Sequence, residues 1–319
     1  MLHPVRFGKR LIKKAAGAID APVVVLLYHR VASLEKDNQL LAVSEGRFSA
    51  HLRHIKENFN IVRFDGDWSN IKKPSVAITF DDGYADNFLN ALPLLAEAQA
   101  HATFFATSGM IGAKKEFWWD ELEAILFNEE APPGRLDLKS GDLKLSCPSG
   151  TGAEKKALYL KLQPLMKNLF PLKREGLLDE LRRWAGVRPF LRESHRPMTV
   201  QELRVLAKST FASIGSHGIT HTPFSVLSPE DQRLELEGSK KEIEQWIGKE
   251  VLTFSYPFGG RPDYTKDSPL LCKNAGYIRA AANTPGQAHS WTGQFEVPRH
   301  IVRDWGLDEF RKRLNGFFQ

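Results

Sequence analysis

The stretch Ser75-Val76-Ala77-Ile78-Thr79-Phe80-Asp81-Asp82-Gly83 runs from a short apolar segment into two adjacent acids and a glycine. Its apolar part predicts a buried strand, and Gly83 lets the chain turn sharply straight after it. Two like charges side by side are costly to bury without water, hydrogen-bond donors or a cation nearby. A strand that delivers paired acids into a tight turn therefore predicts a site, and the flanking sequence must supply its partners.

Outward from that stretch the pattern is α/β. Upstream, Val23-Val24-Val25-Leu26-Leu27 is a continuous apolar run ending at Tyr28-His29-Arg30, as expected for a strand buried on both faces. A helix is predicted over 47–58, with Phe48, Leu52 and Ile55 at helical spacing, and a short strand over 60–64. Downstream, a helix over 85–98 and the apolar run Ala102–Thr107 complete a βαβ unit, which implies a parallel sheet. From about 110 to 197 the rhythm breaks. Phe117-Trp118-Trp119 and a helix to Phe127 are followed by a Pro/Gly-rich stretch at 131–134 and a hairpin around Ser140-Gly141-Asp142. Two basic helices follow, near 154–168 and 172–184. This mostly helical segment reads as an insertion, a lid or substrate wall, with its tryptophans in the core or the wall. The rhythm then resumes with a helix over 200–208, a strand over 211–215 and a helix from Pro229 to about Ile247, capped by Ser228. A strand over 251–255, a helix over 266–275, strands near 277–281 and 296–297 and a helix over 307–316 complete the chain.

The chain has 319 residues, 42% hydrophobic and 26% charged, enough for a sizeable core and ordinary for a globular protein. Its formal charge is +6, but Arg6, Lys9, Arg10, Lys13 and Lys14 supply five of those charges and residues 1–14 hold no acid. The remainder is nearly neutral, so the basic balance predicts no nucleic-acid partner. Residues 1–20 form a basic N-terminal segment and 21–319 the main unit. With Leu2, Val5, Phe7, Leu11 and Ile12 among its basic residues, 1–14 could make peripheral contact with an anionic membrane, or be a solvated tail. It lacks the uninterrupted apolar core of a secretory signal, and no run long enough for a transmembrane helix exists. Cys147 and Cys272 fit no metal motif and suit a reducing compartment, so a cytoplasmic location is expected, at most peripheral at the inner membrane face.

Three features fall at the carboxyl ends of predicted parallel strands, the edge where sites assemble in α/β folds: Asp81-Asp82, His217 with His221, and Tyr256 to Gly259. Two histidines and a carboxylate form a facial set for one divalent ion, with Zn2+ ranked first and Co2+, Ni2+, Mn2+ or Fe2+ as alternatives. Each feature alone is commonplace. Their joint occurrence, in this order, is not.

These residues resemble the polysaccharide deacetylase family, the NodB homology domain of carbohydrate esterase family four. Thr79-Phe80-Asp81-Asp82-Gly83 matches its first motif residue for residue. His217 to His221 matches the second, His-(Ser/Thr)-x-x-His, except that Gly218 replaces the Ser/Thr. Phe254-Ser255-Tyr256-Pro257-Phe258-Gly259 is similar to the third in a Tyr-Pro-Phe-Gly form. The resemblance implies a distorted (β/α) barrel of about seven parallel strands. It also implies metal ligands Asp82, His217 and His221, with Asp81 as general base towards a metal-activated water, and an oxyanion site near Phe258 and Tyr256. Two departures stand out. The arginine that commonly pairs with the catalytic Asp is Ser255 here, and Arg299 is the candidate to supply the charge from another strand end. No Leu-x-His follows Gly260 to supply a general acid, and His29 is the candidate, as in members whose late motifs are permuted to the N-terminus, with His289 and His300 as rivals. Asp304-Trp305 resembles the fourth motif only superficially.

The implied activity is hydrolysis of the N-acetyl group of an amino sugar, on a nucleotide- or lipid-linked precursor of a bacterial surface glycan. A deformylase or another C–N hydrolase of the same family is the alternative among enzymes. From another class, the alternative is a glycan-binding module that has lost catalysis.

Overall fold

The computed structural model describes residues 20–128, 134–140, 143–189 and 191–319. The basic segment 1–14, Pro132-Pro133 and the Gly141-Asp142 turn lie outside the described residues. Seven parallel strands form the main path of the central sheet: β1 (Val23–Tyr28), β2 (Ser75–Phe80), β3 (Ala102–Ala106), β4 (Ala212–Ser216), β5 (Thr253–Ser255), β6 (Arg279–Ala281) and β7 (His300–Ile301). Their spatial order is β6-β5-β4-β3-β2-β1-β7. The chain around β7 also bonds back to β6, because Val297 pairs with Ala281 in a parallel bridge and the Ala282 N–H donates to the Val297 carbonyl. This segment thus touches both ends of the sheet and curls it into a distorted barrel.

The expected strand at 296–297 is only that bridge, and the assigned strand starts three residues later. Similarly, the strand predicted over 60–64 shortens to Asn60–Ile61, which pairs with the start of β2.

Strand alternation sorts the apolar residues onto two faces. Val24, Leu26, Tyr28, Val76, Ile78, Phe80 and Phe104 share one core with the helices. Phe80 stacks on Phe104 at 4.8 Å and on Tyr28 at 5.5 Å. Val23, Val25, Ala77, Phe105 and Ala281 face the other way, into the barrel, where Phe64 and Trp68 join them. The β1 and β2 registers run in step from Val23↔Ser75 to Tyr28↔Phe80, so His29 and Asp81 leave the sheet at the same level.

The helices are α1 (Glu45–Asn58), α2 (Leu92–Ala98), α3 (Trp118–Leu126), α4 (Gly152–Lys167), α5 (Pro171–Ala185), α6 (Val200–Leu206), α7 (Pro229–Ile247), α8 (Ser268–Asn274) and α9 (Leu307–Phe317). The helix predicted over 85–98 is divided: a π-helical turn over Asn87–Ala91 precedes α2. As expected, α7 starts on the Ser228 cap with Pro229 in its first turn, and Gly248 ends it in the left-handed conformation. Helices α3 to α5 and the hairpin Arg135–Ser140/Leu143–Pro148 make up the insertion. They bury their own cluster, including Trp118, Trp119, Leu122, Leu162 and Leu181, which also takes in Tyr84 from the β2 turn. No helix among the described residues is long and apolar enough to cross a membrane.

Gly215 shows how closely the barrel interior is packed. A Cβ there would overlap the Phe105 ring and approach Thr253 Oγ1 to 2.8 Å. Phe105 in turn lies 5.6 Å beneath the Arg299 guanidinium. Gly215→Ala should cost about 1–3 kcal/mol of stability by overpacking; a urea midpoint equal to wild type would contradict this packing.

Candidate metal centre and active site

Asp82 follows β2 with a left-handed backbone, φ 77°, and the Gly83 N–H donates back to the Asp81 carbonyl at 3.0 Å. His217 Nε2 lies between the two carboxyls, 3.6 Å from Asp82 Oδ1 and 3.8 Å from Asp81 Oδ2. His221 (φ 52°) and Phe258 (φ 62°) are also left-handed, so three of the five such non-glycine residues among those described converge here. Each costs of order 1–3 kcal/mol, and such strain concentrates at functional sites.

Asp82, His217 and His221 each offer one ligand atom, and these atoms lie within 4.8 Å of one another. Asp82 Oδ1 is 3.1 Å from His221 Nε2 and 3.6 Å from His217 Nε2. All three residues are buried. His217 Nδ1 lies 2.7 Å from the Ser255 carbonyl, which accepts its proton and leaves Nε2 as the ligand nitrogen. Burial lowers the pKa of His217 to about 4 and that of His221 to about 3, so both rings are neutral at neutral pH, as ligation requires. Burial also raises the pKa of Asp82, against the opposing pull of His29 and His217. A buried carboxylate with two converging neutral imidazoles fits a divalent ion of the kind the sequence predicts.

Gly218 explains its own departure from the motif. Its φ is +78°, and a Cβ would lie 2.8 Å from Glu235 Oε2. That carboxylate accepts the N–H groups of Ile219 (2.6 Å) and Thr220 (3.0 Å) and fixes the loop between the two histidines.

Asp81 is held differently. Arg299 binds both of its oxygens, Nη1 to Oδ1 at 2.8 Å and Nη2 to Oδ2 at 2.7 Å. Ser255 Oγ donates to Oδ2 at 3.1 Å and accepts from Arg299 Nη2 at 2.7 Å. Burial pushes the Asp81 pKa up, but the Arg299 charge, then His217 and the Arg299 hydrogen bonds, outweigh it and hold the carboxyl well below its usual range. Arg299 thus meets Asp81 from another strand end, with the Ser255 hydroxyl beside both. Asn283 Oδ1 accepts a further bond from Arg299 at 2.8 Å. Sequence reading missed Asn283, which follows an alanine run without any motif.

His29 sits beside this pair. Its Nδ1 is buried without a hydrogen-bond partner among the described residues, and its carbonyl accepts from Asn87 at 2.8 Å. Burial lowers its pKa, opposed by the charges of Asp82 and Asp81. The rival histidines are elsewhere. His289 lies near the start of β1, next to Ala288, which bridges Val23, and stacks on Trp291. His300 pairs with Leu26 in mid-strand, stacks on Phe317 and bonds the Gly286 carbonyl. Tyr256 also needs correcting as an oxyanion or substrate residue. By alternation Ser255 points into the barrel and Tyr256 out of it, where its ring stacks on Tyr264 and its hydroxyl donates to the Phe295 carbonyl at 3.1 Å. Phe258 does reach the site, 4.8 Å from the His221 ring.

The family model described as Polysaccharide deacetylase matches residues 69–129 and 188–278, on either side of most of the insertion. The chain belongs to the polysaccharide deacetylase family. It is therefore a hydrolase of carbon–nitrogen bonds other than peptide bonds. YxkH of Bacillus subtilis strain 168, whose name assigns it to the polysaccharide deacetylases, is 22% identical over 286 residues, covering 88% of this chain and 71% of YxkH. Two solved structures share the fold. BC0361, a polysaccharide deacetylase from Bacillus cereus, has a TM-score of 0.59 at 18% identity and matches 94% of this chain and 70% of its own. The Streptococcus pyogenes deacetylase PplD, in complex with acetate, has a TM-score of 0.59 at 15% identity, over 92% and 98%.

Removing one partner of a buried ion pair costs about 3–5 kcal/mol. Arg299→Met should therefore lose roughly that at pH 7 in metal-free protein. The low Asp81 pKa gives stability present above the unfolded carboxylate pKa and lost as pH falls through the folded one. The deficit should accordingly shrink as pH is lowered towards 3 in urea titrations. A deficit that stays constant with pH would refute the assignment.

Proposed function

We propose that the protein is a metal-dependent hydrolase that removes the N-acetyl group of an amino sugar carried on a nucleotide- or lipid-linked precursor of a bacterial surface glycan. The observation that carries this reading is the division of labour at Asp81-Asp82: one acid faces His217 and His221, and the other is locked to Arg299. Asp82, His217 and His221 would hold one divalent ion, Zn2+ ranking first. When bound, it supplies a Lewis acid that polarises the amide carbonyl and acidifies water.

The chain's own groups do the rest. Asp81, kept ionised by Arg299, accepts the proton of the attacking water. The bidentate Arg299 grip and the Ser255 hydroxyl fix the direction of that acceptance. The Phe258 N–H, which donates to no group among the described residues, points to the oxyanion role. His29 protonates the leaving amine, since an amine anion does not depart at neutral pH. Its imidazolium form is stabilised by Asp81 and Asp82, whose charges oppose the lowering by burial.

Acetate as the product is supported by the complex named for PplD. Cys147 and Cys272 are free thiols, which fits a reducing compartment, and we place the reaction in the cytoplasm. There residues 1–14 would bring the enzyme to an anionic membrane that carries lipid-linked substrate.

Acetate and formate release from a panel of nucleotide- and lipid-linked N-acyl amino sugars tests the reading, with His29→Gln run beside the wild type. Acetate release should dominate, and His29→Gln should lose about 100-fold or more in kcat on the amide. The same variant should lose far less on p-nitrophenyl acetate, whose leaving group departs without protonation. Dominant formate release would transfer the enzyme to the deformylases. Equal losses on amide and ester would remove His29 as the acid.

A further inference from the structure

The two ligand histidines are oriented by different means. His217 is fixed by its Nδ1 hydrogen bond to the Ser255 carbonyl. His221 has no equivalent: apart from the carbonyl of its own residue, its buried Nδ1 has no hydrogen-bond partner among the described residues. A ligating imidazole ordinarily needs such a partner to set its ring and tautomer. Around His221 there are aromatic rings instead: Trp119 at 4.7 Å, Phe258 at 4.8 Å and Phe117 at 6.4 Å.

Two of these rings, Phe117 and Trp119, come from the insertion, and both are themselves held. Phe117 stacks on Trp119 at 4.7 Å. Trp119 Nε1 donates to the Tyr84 hydroxyl at 2.8 Å, and that hydroxyl donates to Asp120 Oδ2 at 2.6 Å. Tyr84 lies two residues after Asp82, is fully buried, and carries the Arg30 guanidinium 4.3 Å over its ring. Arg30 is in turn tied to Asp86 at 2.9 Å. The third ring, Phe258, is covered by Lys167 Nζ at 4.4 Å, and Lys167 also pairs with Asp263. Every wall of the box is thus pinned to the insertion, and one hydroxyl links the Asp82 turn to the His221 side.

We propose that Tyr84 and Trp119 are positioning residues for His221: the insertion completes the metal centre by an aromatic box that takes the place of the missing hydrogen bond. The inference rests on the metal-site reading above. Tyr84→Phe leaves the Trp119 N–H buried without its acceptor and Asp120 without its donor, so the box loses its anchor. Asp120→Asn keeps an amide oxygen to accept from Tyr84 and should behave as the wild type.

The test is Co2+ binding, read from affinity and from the visible absorption bands of the bound ion, which report ligand geometry independently of activity. His221→Ala serves as the site control. Tyr84→Phe should weaken Co2+ binding about 10-fold or more and shift the bands. Asp120→Asn should stay within twofold of wild type. Leu162→Ala, which removes buried side-chain volume from the insertion core without touching the Tyr84–Trp119 hydrogen bond, should lower Tm yet leave affinity and bands unchanged. A Tyr84→Phe protein with wild-type affinity and bands would overturn the inference, as would a Leu162→Ala protein that shifts them equally. If His221→Ala binds Co2+ as well as the wild type does, the metal-site reading itself falls, and this inference with it.

Discussion

Asp81 and Asp82 are adjacent in the chain, and both are buried, at 1% and 2% exposure. Two ionised carboxyls in that position repel each other and lose their hydration, so neither can be left without a counter-charge. The fold answers with two separate solutions. Asp82 meets His217 and His221, and Asp81, also within 3.8 Å of His217, is met by Arg299. The segment around β7 brings Arg299 in, Ser255 replaces a bulkier motif residue, and Gly218 yields space to Glu235.

The electrostatic outcome is a pair pushed apart. Burial raises Asp82, whereas Arg299 and its neighbours outweigh burial at Asp81 and lower it. Divergence of this kind gives two chemically equal groups different roles. An acid held ionised by an arginine is always ready to accept a proton, at the cost of being a weak base. In the proposed mechanism water must therefore be made more acidic for the transfer to proceed, the service that a divalent ion beside Asp82 would provide. The ligand set and the Arg299 pair are complementary for that reason.

Much of this was legible in the residues. The apolar runs at 23–27, 75–80 and 102–107 announced a parallel sheet, and the strand ends fixed which residues could meet. The His217/His221 spacing and the paired acids located the centre. What the sequence hid was mostly three-dimensional. Arg299 follows a proline in an irregular segment whose pairing with both β6 and β1 no periodicity reveals. Tyr256 was expected at the site from its motif alone, which does not show that its ring stacks on Tyr264. Asn283, Tyr84 and Trp119 carried no spacing signal. Their positions depend on where the insertion lands, and only its aromatic cluster hinted that it would form a wall.

The central claim is that the two acids do different work, one holding the ion and the other moving a proton. Metal content and acetate release measured side by side on Asp81→Asn and Asp82→Asn test it most directly. The account predicts that Asp81→Asn retains one equivalent of divalent metal while acetate release falls about 100-fold or more, and that Asp82→Asn loses the metal. An Asp81→Asn protein that loses its metal, or that keeps wild-type acetate release, would contradict it.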